Sequence, residues 1–128
     1  MAERIDLEEV LRSCAAMHER YLETSERPGE EGALSRLGAD CDTVMTIWRA
    51  KEANRRTDPN DVINALIVAI VAHIAGEVLN HANDENKRIA AAVSIGSAFT
   101  QTLFETMAAS AAGAFKTESI PARQVGLA

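Results

Sequence analysis

The sequence predicts an all-α protein, a four-helix bundle-like single domain, and three observations carry the prediction. Hydrophobic residues make up 47% of the chain but aromatics only 4%, so the apolar mass is Ala, Val, Ile and Leu, which suits closely packed helices better than a sandwich or barrel. Apolar residues in the first half recur at spacings of three and four, the period of a helix face. In the second half, "TDPND" and "NDEN" punctuate long apolar runs with helix-start signals. At 128 residues the chain buries roughly two-thirds of the surface its unfolded form exposes, so it needs neither metal nor disulfide to fold.

The first helix is expected over 6–24. Leu7, Val10, Leu11, Cys14, His18, Tyr21 and Leu22 form its apolar stripe behind an Asp6 cap. "SERPGEEG" then reads as an exposed loop, because Pro28, Gly29 and Gly32 interrupt the pattern. The second helix is expected over 33–55, with Leu34, Leu37, Cys41, Val44, Met45 and Trp48 as the stripe and Trp48 as a core anchor. Gly38 weakens it. Arg49, Lys51, Arg55 and Arg56 gather at its end, where positive charge complements the helix dipole.

Asp58 as N-cap, Pro59 at the first helical position and Asp61 three residues after the cap start the third helix. It is expected to reach His81 or Ala82. "NDEN" caps a fourth helix running to about residue 114, and 116–128, with Pro121 and Gly126, reads as a tail without periodicity. The domain is thus 1–115.

These last two helices carry the main inference. Glu77 is the sole Asp, Glu, Lys or Arg in 62–83, and Glu105 is the sole one in 89–115. A surface helix shows charge on its solvent side, so a pair this apolar requires cover on more than one face. Small residues at helical spacing, Ala65, Ala69, Ala72 and Gly76 on one helix and Ala92, Gly96 and Thr100 on the other, suggest close approach of the two backbones. The leftover face calls for a second copy of the chain, since most soluble oligomers are symmetric homodimers. The expected interface comprises Val62, Leu66, Ala69, Ile70, Gly96, Phe99 and Leu103.

Charge and motif content narrow the function. Residues 1–42 hold eleven Asp and Glu against five Arg, while the rest of the chain is balanced. An acidic surface of this kind does not meet phosphate, so nucleic acid is not an expected partner. No leader opens "MAERIDLEEVLRS", and Cys14 and Cys41 fall on apolar stripes as reduced thiols, which points to the cytoplasm. His73, Glu77 and His81 share one helix face, and with His18 they form the one constellation with metal-ligand chemistry. The chain nevertheless lacks both Glu-x-x-His and His-Glu-x-x-His, and the polar edge of a core helix explains the pattern more simply. Ser94, Ser97 and Ser110 have no histidine at a motif-like spacing, so no catalytic residue and no cofactor is expected. A membrane hairpin is the third alternative. The strongest run, 62–74, falls short of the roughly 20 residues that span a bilayer. The sequence thus reads as a small cytoplasmic, non-enzymatic interaction or regulatory protein. Its partners are a second copy and an unidentified protein, with no membrane.

Overall fold

A computed structural model describes residues 3–113, which fold as four α-helices with no strand among them. They are α1 (Leu7–Thr24), α2 (Gly29–Arg55), α3 (Pro59–His81) and α4 (Glu85–Ala111). The all-α class is as predicted; the tail expected over 116–128 lies outside the described residues. The chain divides into two compact units, one ending at Val62 and the other beginning at Ile63.

In the first unit α1 and α2 pack against each other along their length. Asp6 caps α1 as its sequence implies, accepting a hydrogen bond from the Glu8 amide at 2.9 Å. Val10 and Cys14 are buried beside Ala50, with Ile5, Leu7 and Ile47 packed around them. Asn54 then ties the chain start to the end of α2. Its Oδ1 accepts from the Ile5 amide at 2.7 Å, and its Nδ2 donates to the Ile5 carbonyl at 3.0 Å.

The second helix departs from the sequence reading in two respects. It starts at Gly29, four residues early, so the loop is only 25–28. Glu30 and Glu31 in its first turn complement the dipole, Arg27 pairs with Glu31, and Gly29 takes φ 71°, a backbone open to glycine. Gly32 is a requirement of packing rather than a break, because it lies against the Arg27 carbonyl. The buried face is also different. Gly32, Ser35, Thr46 and Ala50 are buried, whereas Leu34, Leu37, Val44 and Met45 of the expected stripe are exposed, and Cys41 and Trp48 are half-buried.

Close approach explains this reversal. At Gly38 the Tyr21 ring occupies the space an added Cβ would need, so small residues let α1 settle onto the α2 backbone, and polar groups at the contact bond to each other. Thr24 Oγ1 and Ser35 Oγ lie 2.6 Å apart, His18 donates from Nδ1 to the Ala39 carbonyl at 3.0 Å, and Arg36 donates to the Ser25 carbonyl at 2.6 Å. Among the described residues no buried side-chain N or O lacks a partner, so this polar seam avoids the cost of unsatisfied groups.

The same seam makes the hairpin sensitive to alkali. Burial raises the Cys14 thiol above its ordinary value, and the negative charge of Asp42 adds to the effect; burial and then Asp42 do the same to the Tyr21 phenol. Both groups ionise more readily in the unfolded chain. Their contribution to stability is therefore complete below the ordinary thiol and phenol values and is lost as pH rises through the folded ones. Urea midpoints measured from neutral to alkaline pH should fall on the alkaline side, and Asp42→Asn should flatten that fall. An alkaline limb unchanged in the variant removes Asp42 from the account.

At the other end of α2, Arg56 sits in the left-handed region with φ 59°. Its amide bonds to the Ala53 carbonyl at 3.0 Å and the Thr57 amide to the Glu52 carbonyl at 3.1 Å, the paired closure that normally uses glycine. Glu52 is held below the usual carboxylate range by the Thr57 hydroxyl and then by Arg55. Arg56→Gly relieves the side-chain clash of the left-handed residue and is expected to stabilise the protein by about 1 kcal/mol. A urea midpoint equal to or below that of the parent contradicts this account of the cap.

Candidate functional site

The unit that begins at Ile63 contains the feature with functional potential, an apolar groove between α3 and α4. Its frame follows from local chemistry. The Asp58 carboxylate accepts from the Asn60 amide at 2.8 Å and Pro59 supplies the first helical residue, so α3 starts where the sequence places it. Ala82 and Asn83 then turn the chain, and the Asp84 carboxylate caps α4 by accepting from the Lys87 amide at 2.8 Å. The Arg88 guanidinium steadies this turn by donating from Nε to the Ala82 carbonyl at 3.0 Å.

From that turn the two helices leave an open groove of about 480 Å³. Ile67, Ile70, Val71, Ile74, Ala75, Val78 and Leu79 supply its α3 wall, and Ala92, Ile95, Gly96 and Phe99 its α4 wall; Arg88 is the charged lining residue. The α3 residues recur at three and four, one continuous stripe of a helix. No residue of α3 or α4 is buried. Twelve large apolar side chains from Ile63 to Met107 stand exposed, ranging from Ile63 at 37% to Val93 at 70%. A water-facing surface does not sustain a contiguous patch of this kind.

The small residues do not serve the packing the sequence suggested. No atom lies within 4 Å of a Cβ built on Gly76 or Gly96, so neither glycine marks a close crossing of α3 and α4. Ala65, Ala69, Ala72 and Gly76 are absent from the groove wall, which large branched side chains occupy instead.

Of the residues expected at an interface, the groove brings together Ile70, Gly96 and Phe99. Val62, Leu66, Ala69 and Leu103 lie outside its wall; Val62 and Leu66 are half-buried, and Ala69 and Leu103 are exposed. The wall residues absent from the expected interface are Ile67, Val71, Ile74, Ala75, Val78 and Leu79 on α3 and Arg88, Ala92 and Ile95 on α4. Their helical spacing was visible, but where a helix is apolar on nearly every side, as over 62–72, the spacing does not select a face.

The metal alternative finds little geometric support. Among the described residues no three His, Cys, Asp or Glu side chains gather into a group fit for an ion. His81 donates from Nδ1 to the Glu77 carbonyl at 2.8 Å, while that nitrogen stands 3.8 Å from the Glu77 carboxylate. His73, Glu77 and His81 are all exposed, and His18 is spent on the Ala39 carbonyl. No nucleophile and base pair is part of the groove.

The two helices differ in how much water they tolerate. α3 is 23 residues long with a mean hydropathy of 2.2 over its most apolar 18-residue window, long and apolar enough to cross a membrane by those measures. The helix thus extends beyond the 62–74 run on which the sequence reading rested. α4 has a polar stripe, Ser94, Ser97, Gln101 and Glu105, at spacings of three and four, with Gln101 donating to Glu105 at 2.9 Å. One of its sides is therefore suited to water while the groove side is not. No family model matches the chain, and no curated protein or solved structure matches it either.

Proposed function

We propose that this chain is a small non-enzymatic interaction or regulatory protein of the cytoplasm that acts as a homodimer. The observation that supports this reading is the unit beginning at Ile63, where α3 and α4 bury none of their residues and enclose an apolar groove. Apolar surface of this extent is favourable only when removed from water, and the polar stripe on α4 reserves one side for solvent. An unidentified protein partner remains part of the proposal, with the exposed Leu34, Leu37, Val44 and Met45 face of α2 as a second apolar surface.

A second reading, a helix that enters a membrane, has one observation in its favour, the length and hydropathy of α3. Against it, 62–76 is free of Asp, Glu, Lys and Arg for only fifteen residues, about 22 Å of helix where the hydrocarbon core needs about 30 Å. Purification without detergent followed by sedimentation separates the two. A soluble dimer supports the proposal, and a well-folded monomer defeats it. Protein recovered only with detergent, or floating with vesicles, favours the membrane.

A further inference from the structure

We infer that the occupant of the α3–α4 groove is the α3–α4 hairpin of a second copy, seated head-to-tail so that two chains close one four-helix core. This inference rests on the homodimer reading and adds the surface and the orientation. Size is the first argument. α3 with 23 residues and α4 with 27 are about 34 and 40 Å long, and each is about 10 Å wide. The face they share therefore measures roughly 700 Å², close to the ~800 Å² per partner of a standard stable interface. A short peptide or small molecule leaves most of such a face wet, whereas a second hairpin has the same length and covers it from the turn to the open end.

Self-complementarity is the second argument. An isologous contact requires one surface to fit itself. Here the wall is almost wholly branched aliphatic on α3, while α4 alternates small and large, Ala92 and Gly96 beside Ile95 and Phe99. Gly96 has open space above it, so a bulky α3 side chain of the partner has a place to enter. Reciprocal insertion fills both halves of the shared void by the same contacts.

Charge sets the direction. α4 carries Lys87 and Arg88 beside the turn and Glu105 near its other end, with no Asp, Glu, Lys or Arg between Arg88 and Glu105. Lys87 already pairs with Asp84 at 3.4 Å, whereas Arg88 lines the groove with its Nε on the Ala82 carbonyl and no carboxylate partner among the described residues. The remaining charged or titratable side chains near the turn are Glu77, His81 and Glu85. In a head-to-head dimer the two Arg88 groups face each other across a low-dielectric groove, and like charges there repel. Head-to-tail seating instead sends the two Arg88 groups to opposite ends of the groove, and it sets the α4 dipoles antiparallel.

Sedimentation of the full chain and cysteine crosslinking test the surface and the direction separately. Ile74→Glu and Phe99→Ala should each weaken the dimer, Ile74→Glu by a hundredfold or more, while Val44→Glu on the exposed face of α2 should leave it intact; circular dichroism confirms that each variant remains helical. In a Cys41→Ser background, Ile67→Cys and Leu79→Cys chains should form an intermolecular disulfide when mixed and none when oxidised alone. Full dimer affinity in both groove variants, or dissociation by Val44→Glu alone, places the seam elsewhere and overturns the inference while the homodimer stands. Self-crosslinking of Leu79→Cys chains overturns the head-to-tail direction. A monomeric parent protein defeats the homodimer reading itself, and the inference with it.

Discussion

Ile70→Glu is expected to abolish self-association at concentrations where the parent chain is a dimer, whereas Leu66→Glu should weaken it by about tenfold or less. The two positions are one helical turn apart and equally apolar. Ile70 lines the groove, while Leu66 is half-buried outside it. A carboxylate placed in a dry apolar seam without a partner costs several kcal/mol, because it must either remain charged in a poor solvent or take up a proton. About 3 kcal/mol is a little over a hundredfold in dissociation constant. At Leu66 the new carboxylate rotates toward water on the side that carries His73 and Glu77, so the desolvation cost is small. Sedimentation at several concentrations reads both effects. Equal losses for the two variants place the seam across both faces of α3, and a larger loss for Leu66→Glu moves it off the groove.

The second large effect is expected at Gly32. An added Cβ there meets the Arg27 carbonyl group, whose carbon lies 2.7 Å from the ideal position, and Arg36 Nη1 at 3.0 Å. The carbonyl belongs to the backbone of the α1–α2 connection, so no side-chain rotation relieves the overlap. Arg27 is held in turn by its amide on the Thr24 carbonyl at 3.1 Å and by its ion pair with Glu31. Gly32→Ala should therefore cost about 3 kcal/mol, at the upper end of the usual range for overpacking. Two other glycines serve as controls. Gly29 has open space but φ 71°, so Gly29→Ala should cost about 1 kcal/mol through backbone strain alone. Gly76 has open space and a helical backbone, so Gly76→Ala should gain up to about 1 kcal/mol of helix propensity. Urea midpoints of the three variants check the order; a benign Gly32→Ala means that the connection shifts freely and the close approach is not structural.

Acid sensitivity at the end of α2 follows from Glu52. Its value is depressed in the folded chain by Thr57 and Arg55, so its contribution is present above the ordinary carboxylate range and lost as pH falls through the folded value. Because the Thr57 hydroxyl donates to Glu52 at 2.7 Å, that loss loosens the cap formed by Arg56 and Thr57.

The sequence by itself determined the helical class, the order of the four helices and three of their starts. Asp6, Asp58 with Pro59, and Asp84 act within one turn of chain, satisfying backbone amides two or three residues ahead. Such local chemistry does not depend on what packs where. The scarcity of charge over 62–83 and 89–115 was equally plain, since it is read directly from composition.

Only the tertiary structure decided which faces meet. The apolar stripe of α2 is genuine, yet the helix turns Leu34, Leu37 and Val44 outward and buries Gly32, Ser35 and Thr46 instead. Close backbone approach and satisfied hydrogen bonds between Thr24 and Ser35, or His18 and Ala39, outweigh aliphatic burial at that contact, a balance that no single-helix pattern contains. Over 62–72 α3 is apolar on nearly every side, so periodicity alone does not choose among them. The groove wall runs along Ile67, Ile70, Ile74 and Val78 rather than along Ala65, Ala69, Ala72 and Gly76. Spacing records which residues share a face, and packing against a second surface determines what that face is for.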